Sequence, residues 1–353
     1  MYEDMTYDYI LQRALDSIES DVLKTEGSLV YTAVSAFAFE LNRLYVQLDY
    51  LLRQLDPATA DFDTLKALAA QRAVYPSAAT YATVKIEADA ALPIGARFSL
   101  SAYNYAVTED LGDGAYAAVC EEAGSGPNGL LGALTPITYV DGLSTATITE
   151  ILIAGTDADG RDELYEKYLE SFTSQSFGGN IAAYKMHLNA FDGIGGTKVY
   201  PVWQGPGTVK CALISSSWRA VSEYLLDQIR EEVSPEPATG YGFAPINHDV
   251  TIESVEENTI DITTHVTFSS GYSWAVCKED IEAAISGYLE SLCKGWGDGT
   301  EDDTTTVYIS RLESAVLDVQ GVIDIQNTTL NGSSSNLVLG TDEIPVLGEV
   351  TPT

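Results

Sequence analysis

The amino-acid sequence predicts a multidomain α+β protein with an N-terminal helical bundle segment, a middle β-rich domain and C-terminal α+β sandwich-like lobes. Three observations carry that prediction. The chain has 353 residues, enough for two or three domains at ~100–200 residues each. Residues 1–75 repeat apolar side chains at helical spacing, whereas residues 76–154 alternate in short runs between glycines. The remainder mixes hairpin-like runs with single helices, the signature of α+β lobes rather than of a doubly wound sheet. Domains are expected at 1–75, 76–154, 155–240 and 241–353. With 45% hydrophobic residues there is ample material for buried cores.

In the first segment Ile10, Leu11, Ala14, Leu15, Ile18 and Val22 form one helical stripe, which Gly27 interrupts. A longer helix follows, with apolar residues at Val30, Val34, Phe37, Leu41, Leu44, Leu48, Leu51 and Leu55 in strict alternation of four and three. That is an a/d seam of more than three heptads, narrower than the stripe of a helix lying on a large core. Such a seam is either filled by the other helices of the chain or completed by helices of other chains. Pro57 follows the helix, and a third runs from about Asp61 to Ala73.

The middle segment alternates at Ala82 to Ala88, Ala102 to Thr108 and Thr145 to Ile153, between turn residues such as Pro93, Gly95, Gly112 and Gly129. Further on, helices are predicted up to about Ser174, from Asn180 to before Gly193, and over 220–233, 275–292 and 310–318. Strands are predicted over 197–202, 208–214, 246–255, 259–268, 322–326 and 336–339, with another near Val307.

The chain carries 18 basic and 52 acidic residues, a net charge of −34. Segments 1–75, 76–154 and 155–353 balance at −6, −7 and −21, so none hides a basic patch. Nucleic acid and anionic lipid are therefore excluded as expected partners. The start Met1-Tyr2-Glu3-Asp4 is acidic where a secretory signal needs positive charge, and no run is long and unbroken enough for a membrane span. Cys120, Cys211, Cys277 and Cys293 lack Cys-x-x-Cys spacing and are expected to be reduced, buried thiols.

No catalytic constellation stands out. His187, His248 and His265 belong to no metal-binding spacing, and there is no Gly-x-Ser-x-Gly elbow. Gly205-Pro206-Gly207-Thr208 lacks the Lys of a phosphate loop and reads as a tight turn between strands. Asp157-x-Asp159-Gly160-x-Asp162 lacks the Glu of a calcium loop, Tyr168 standing in its place, so Asp159 and its neighbours are expected to cap the next helix. The acidic loop from Asp298 to Asp303 reads as solvated. No catalytic, metal or cofactor-binding residue is expected. A wall-degrading hydrolase and a receptor-binding module are the alternatives from other classes.

Across nearly the whole chain the order and spacing of weaker motifs resemble the baseplate J-like family, the wedge proteins of contractile phage tails and related injection machines. The similarity lies in Glu26-Gly27-Ser28, Ile94-Gly95-Ala96, Gly124-x-Gly126-x-Asn128, Gly155-Thr156-Asp157 and Gly178-Gly179-Asn180. It continues through Gly205-Pro206-Gly207, Gly240-x-Gly242-x-Ala244-Pro245, Gly321-Val322-Ile323-Asp324 and Glu343-Ile344-Pro345. Asn247 departs from the small residue more usual before the His. The resemblance implies a non-enzymatic subunit of the virion or particle baseplate, assembled in the bacterial cytoplasm. It also implies N-terminal helices in a bundle with other wedge subunits and C-terminal domains in dimer contact. Hub-proximal and sheath-initiating subunits would be further partners, and the ring would rearrange on sheath contraction. On that reading Val34, Phe37, Leu41, Leu44, Leu48, Leu51 and Leu55 are the bundle seam, while Gly155, Asp157, Gly179, Asn180, Gly205, Pro206, Gly207 and Pro245 build turns.

Overall fold

Two units make up the chain in a computed structural model that describes residues 2–19, 21–173, 178–300 and 303–353. The first joins Met1–Ser77 with Asp159–Ser174, and the second joins Ala78–Ala158 with Gln175–Thr353.

Among the described residues the first unit contains four helices: α1 (Tyr7–Asp16), α2 (Leu29–Gln54), α3 (Phe62–Ala70) and α4 (Arg161–Thr173). Side-chain oxygens of Thr6, Ser28 and Asp61 accept from the N–H groups of Tyr9, Tyr31 and Thr64, which caps α1, α2 and α3. Helix α1 buries Ile10, Leu11 and Leu15 against Ala38 of α2, with Val30, Tyr31, Val34 and Tyr45 around them. Leu65 and Ala69 of α3 pack on Leu164 of α4, so the helix after the β domain completes the N-terminal unit.

Arg161 holds this corner together. Its guanidinium donates to the carbonyls of Ala60 at 2.8 Å, of Pro57 at 3.2 Å and of Ala58. Asp159 does not cap α4 as expected. Its carboxylate instead accepts from the Ser77 N–H at 2.7 Å and from Lys167 at 2.5 Å, and Glu163 reaches back to the Gly160 N–H. Because charge-assisted bonds contribute ~1.5–3 kcal/mol each, Arg161→Ala is expected to cost about 2 kcal/mol. Faster hydrogen exchange in α3 and α4, with exchange in the second unit unchanged, is the expected readout.

The second unit begins with a seven-stranded antiparallel sheet: β1 (Tyr81–Ala88), β2 (Arg97–Leu100), β3 (Tyr103–Gly112), β4 (Ala115–Ala123), β5 (Gly132–Ala133), β6 (Thr135–Pro136) and β7 (Ala146–Ile153). The order is β5-β7-β1-β4-β3-β2-β6. The edge strands β5 and β6 are separated in sequence by Leu134 alone, so the sheet curls until its edges nearly meet. Val84, Ile86, Phe98, Tyr105, Ala118 and Ile148 fill the inside.

A three-stranded sheet follows, built from β8 (Ile194–Pro201), β9 (Thr208–Ser215) and β10 (Asp249–Ser254) in the order β10-β9-β8. The β8–β9 hairpin turns at Gly205-Pro206-Gly207, as the sequence indicated, and β10 returns parallel to β9 by way of α6 (Glu223–Val233). Helices α5 (Ile181–Leu188) and α6 lay Tyr184, Leu188, Leu225 and Ile229 on this sheet. The strand expected from Ile246 starts at Asp249, because Asn247 takes a positive φ of 67° that ends extended backbone.

The last lobe has the sheet order β13-β11-β15, formed by β11 (Glu256–Phe268), β13 (Val322–Leu330) and β15 (Glu343–Pro352). Helix α7 (Trp274–Lys294) turns Cys277, Ile281, Ile285 and Leu289 to the core that it shares with α8 (Ile309–Leu317). A small ladder, β12 (Thr306–Val307) with β14 (Leu337–Val338), flanks it. The β15 strand, parallel to β11, was not foreseen from the sequence.

Candidate assembly surfaces

On α2 the structure separates the seam into two parts. Val34 lies half-buried in the α1 contact. Phe37, Leu41, Leu44, Leu48, Leu51 and Leu55 remain 42–74% exposed. Alpha-helical geometry explains this: Ala38, Asn42 and Tyr45 face α1 and the segment before it, while Phe37, Leu41 and Leu44, one position earlier, lie ~100° around the helix from them. Six large apolar side chains on one open strip, five on a 26-residue helix and the sixth at its C-cap, exceed what scattered surface leucines would give. Phe39, Val46 and Tyr50, on the side opposite the seam, form a second open strip that heptad reading passed over because those positions are usually polar.

The turn residues gather into two knots. In one, the Asn128 side chain accepts from the Gly155 N–H at 2.9 Å and donates to the Gly155 carbonyl at 2.7 Å. Beside it Asp157 accepts from the Ser125 N–H and hydroxyl at 2.9 and 2.6 Å, and these bonds hold its carboxyl below the ordinary range. A Cβ on Gly155 would lie 2.4 Å from the Gly124 carbonyl oxygen, so only glycine fits.

The second knot surrounds the loop before β10. Asn180 caps α5 through the Ala183 N–H. Gly179, at φ +84°, sits where a Cβ would come within 2.3 Å of Pro245, and a Cβ on Gly207 would meet the Asn247 carbonyl oxygen at 2.9 Å. Gly179, Asn180, Gly207 and Pro245, far apart in sequence, thus share one corner, and Gly205 and Pro206 lie at the tip of the adjoining hairpin. Gly155 and Asp157 belong to the other knot.

Several buried polar groups in the second unit are tied into its packing. Tyr184 and His248 are bonded at 2.8 Å, and the His187 ring stacks on Phe243 at 3.8 Å. Lys198, buried on β8, donates to the carbonyls of Asp303 and Thr341 at 2.9 Å each, and desolvation pushes its pKa down. All four cysteines are buried and unpaired. Among the described residues no cluster of His, Cys, Asp or Glu could hold a metal, and no helix is long and apolar enough to cross a membrane. Of the acidic loop, Glu301, Asp302 and the Asp298 side chain lie outside the described residues.

One ion pair gives this unit an acid dependence. Arg219 donates to both oxygens of Glu257, at 2.8 and 2.7 Å, and the Ala220 N–H adds a third bond. The Arg219 hydrogen bonds hold the Glu257 carboxyl below the ordinary range. The folded state therefore binds this proton less readily than the unfolded chain. Its stabilisation is complete above the unfolded value of about 4.3 and is lost as pH falls through the folded value. In denaturant titrations Glu257→Gln is expected to be less stable than the wild type at pH 7, with the gap closing on acidification below about pH 4.

Comparison with known proteins then bears on what these surfaces serve. Residues 176–254 match the Baseplate J-like central domain, and residues 260–353 match the Baseplate J-like protein C-terminal domain. The chain is 32% identical over 354 residues to Phage-like element PBSX protein XkdT of Bacillus subtilis (strain 168), covering 99% of this chain and 98% of the relative. It is 31% identical, at the same coverage, to the uncharacterized protein YqbT of the same strain. A chain in the solved baseplate of the anti-feeding prophage aligns over 97% of this chain and 90% of that one, at TM-score 0.42 and 8% identity, too distant a likeness to carry weight. The two domain matches, with a relation spanning the whole chain, establish that this protein belongs to the baseplate J-like family, the structural proteins of phage-tail-type baseplates.

Proposed function

We propose that the chain is a wedge subunit of its baseplate, that α2 enters a helical bundle with other wedge subunits, and that the C-terminal lobes pair as a dimer within the ring around the tail hub. The observation that carries this reading is the open a/d strip from Phe37 to Leu55, which α1 leaves uncovered. Burying six such side chains at ~25 cal/mol per Å² is a driving force of the size that holds bundles together. Neighbouring wedge, hub-proximal and sheath-initiating subunits are the partners, assembly takes place in the bacterial cytoplasm, and the ring rearranges when the sheath contracts. The work is mechanical rather than enzymatic. Nucleic acid and membrane are not partners, in keeping with the net charge of −34.

Deleting the gene in a particle-producing host tests the reading. Electron microscopy is expected to reveal tubes or sheaths without baseplates, restored by the wild-type gene. Complete particles in the deletion strain would refute it.

A further inference from the structure

We propose that the tip formed by the β8–β9 turn and the loop before β10 is a second docking surface, which takes an apolar protein face rimmed with Lys and Arg and belonging to a different subunit. The two loops meet where Gly207 lies against Asn247, and the Asp249 N–H donates to the Gly207 carbonyl at 2.8 Å. They present Val202, Trp203, Tyr241 and Ile246 to solvent, with Tyr241 81% and Ile246 73% exposed.

This tip is held rigidly rather than left loose. The Asn247 N–H donates to the Ala238 carbonyl and the Ala238 N–H to that of His248, which pinches the loop shut. Gly240 packs on Ile246, and Gly242 lies so close to the Glu232 and Val233 carbonyls that no side chain fits. Three non-glycine residues there take left-handed backbone: Val202 at φ 60°, Ala238 at 62° and Asn247 at 67°. A β-branched residue in that region is strained, and such strain persists only where the surrounding structure enforces it. Side chains carried on a backbone that is fixed before contact lose less entropy on binding than those on a mobile loop, as suits the anchors of an interface.

Charge identifies the occupant. The acidic residues on and beside the two loops are Glu232, whose carbonyl accepts from the Phe243 N–H and whose carboxylate has His187 3.6 Å away, Glu236 and Asp249, and no Lys or Arg occurs between Arg230 and Lys278. Lys210, 5.5 Å from the Trp203 ring, is already bound by Asp342 at 2.8 Å and Glu253 at 3.0 Å. A predominantly acidic surround repels phosphates and anionic lipid. Two copies docked symmetrically through this tip would set the same carboxylates against one another. A basic face on a different protein satisfies both the apolar centre and the rim. The inference concerns the second unit and does not rest on the α2 strip: if bundle docking through α2 fails, the tip contact stands.

The test uses the full chain, co-expressed with the proteins encoded beside its gene. The purified complex is treated with a zero-length carbodiimide, and linked peptides are mapped by mass spectrometry. Links from Glu232, Glu236 or Asp249 to lysines of a different protein are expected. A Tyr241→Ser, Ile246→Ser variant is expected to lose at least ~10-fold in affinity for that protein at an unchanged melting temperature, since both side chains are exposed. A Glu236→Lys, Asp249→Lys variant is expected to lose a similar factor. Absence of such links while other carboxylates react, links only to a second copy of this chain, or wild-type affinity in the variants would each overturn the proposal.

Discussion

Leu44→Asp is expected to weaken the association of this chain with its bundle partners about 30- to 1,000-fold while leaving its own melting temperature unchanged. Leu44 is 53% exposed and sits mid-way along the open strip of α2, so a carboxylate there stays hydrated in the free subunit. In a filled bundle the same carboxylate would be desolvated against apolar neighbours. Loss of a central apolar anchor costs ~2–4 kcal/mol at an interface, which gives the stated range. Leu48→Asp is expected to behave alike. Val34→Asp is the informative contrast: Val34 packs on the α1 cluster, so that change is expected to destabilise the free helical unit. Titration calorimetry with the co-purified partners reads the first effect, and thermal melting of the isolated chain reads the second. Equal affinity for Leu44→Asp and wild type would show that the strip is not an interface.

The second large effect is expected at Gly155. A methyl group there would meet the Gly124 carbonyl oxygen at 2.4 Å, the Ala82 nitrogen at 3.0 Å and the Thr80 carbonyl oxygen at 3.1 Å, all of them backbone atoms. Nothing flexible can yield, so the strand ends must part, and the paired bonds from Asn128 to Gly155 stretch with them. Overpacking of ~1–3 kcal/mol together with about 1 kcal/mol from weakened hydrogen bonds makes Gly155→Ala about 3 kcal/mol less stable. In calorimetry of a unit of this size that lowers the melting temperature by about 6–10 °C. Gly205→Ala provides the comparison. Its Cβ would meet nothing within 4 Å, and only the positive φ of 116° resists it, so about 1–2 kcal/mol is expected. Similar losses at the two positions would show that the close approach at Gly155 is not what demands glycine.

The heptad spacing in α2 was legible because the 4-3 alternation is a local property of the sequence. It did not reveal which neighbours fill the seam, and the structure divides that seam at Val34. The β8–β9 turn was equally legible, since glycine and proline punctuate it. Strand β15 was not: Pro345, Gly348 and Pro352 argue against a strand in general, yet they are tolerated in an edge strand. The role of Asp159 was misread because helix capping is a local rule, and Ser77, its backbone partner, lies 82 residues away. The glycines of the two turn knots could be flagged one by one. Their grouping follows from tertiary contacts, such as Gly179 on Pro245, that no spacing encodes. The exposed tip at Tyr241 and Ile246 gave no periodic signal, because its residues belong to irregular loops.

Assembly through a shared bundle is the central claim, and the most direct test is the native mass of the full-length chain co-expressed with the proteins encoded beside its gene. Deleting residues 1–75 would be a poorer test, since it strips α3 from Leu164 of α4 and damages the unit that it is meant to remove. A complex of fixed stoichiometry containing this chain and at least one other subunit, dissociated by Leu44→Asp, is the expected result. A mass of 37.9 kDa, that of the single chain, in the presence of those proteins would contradict it.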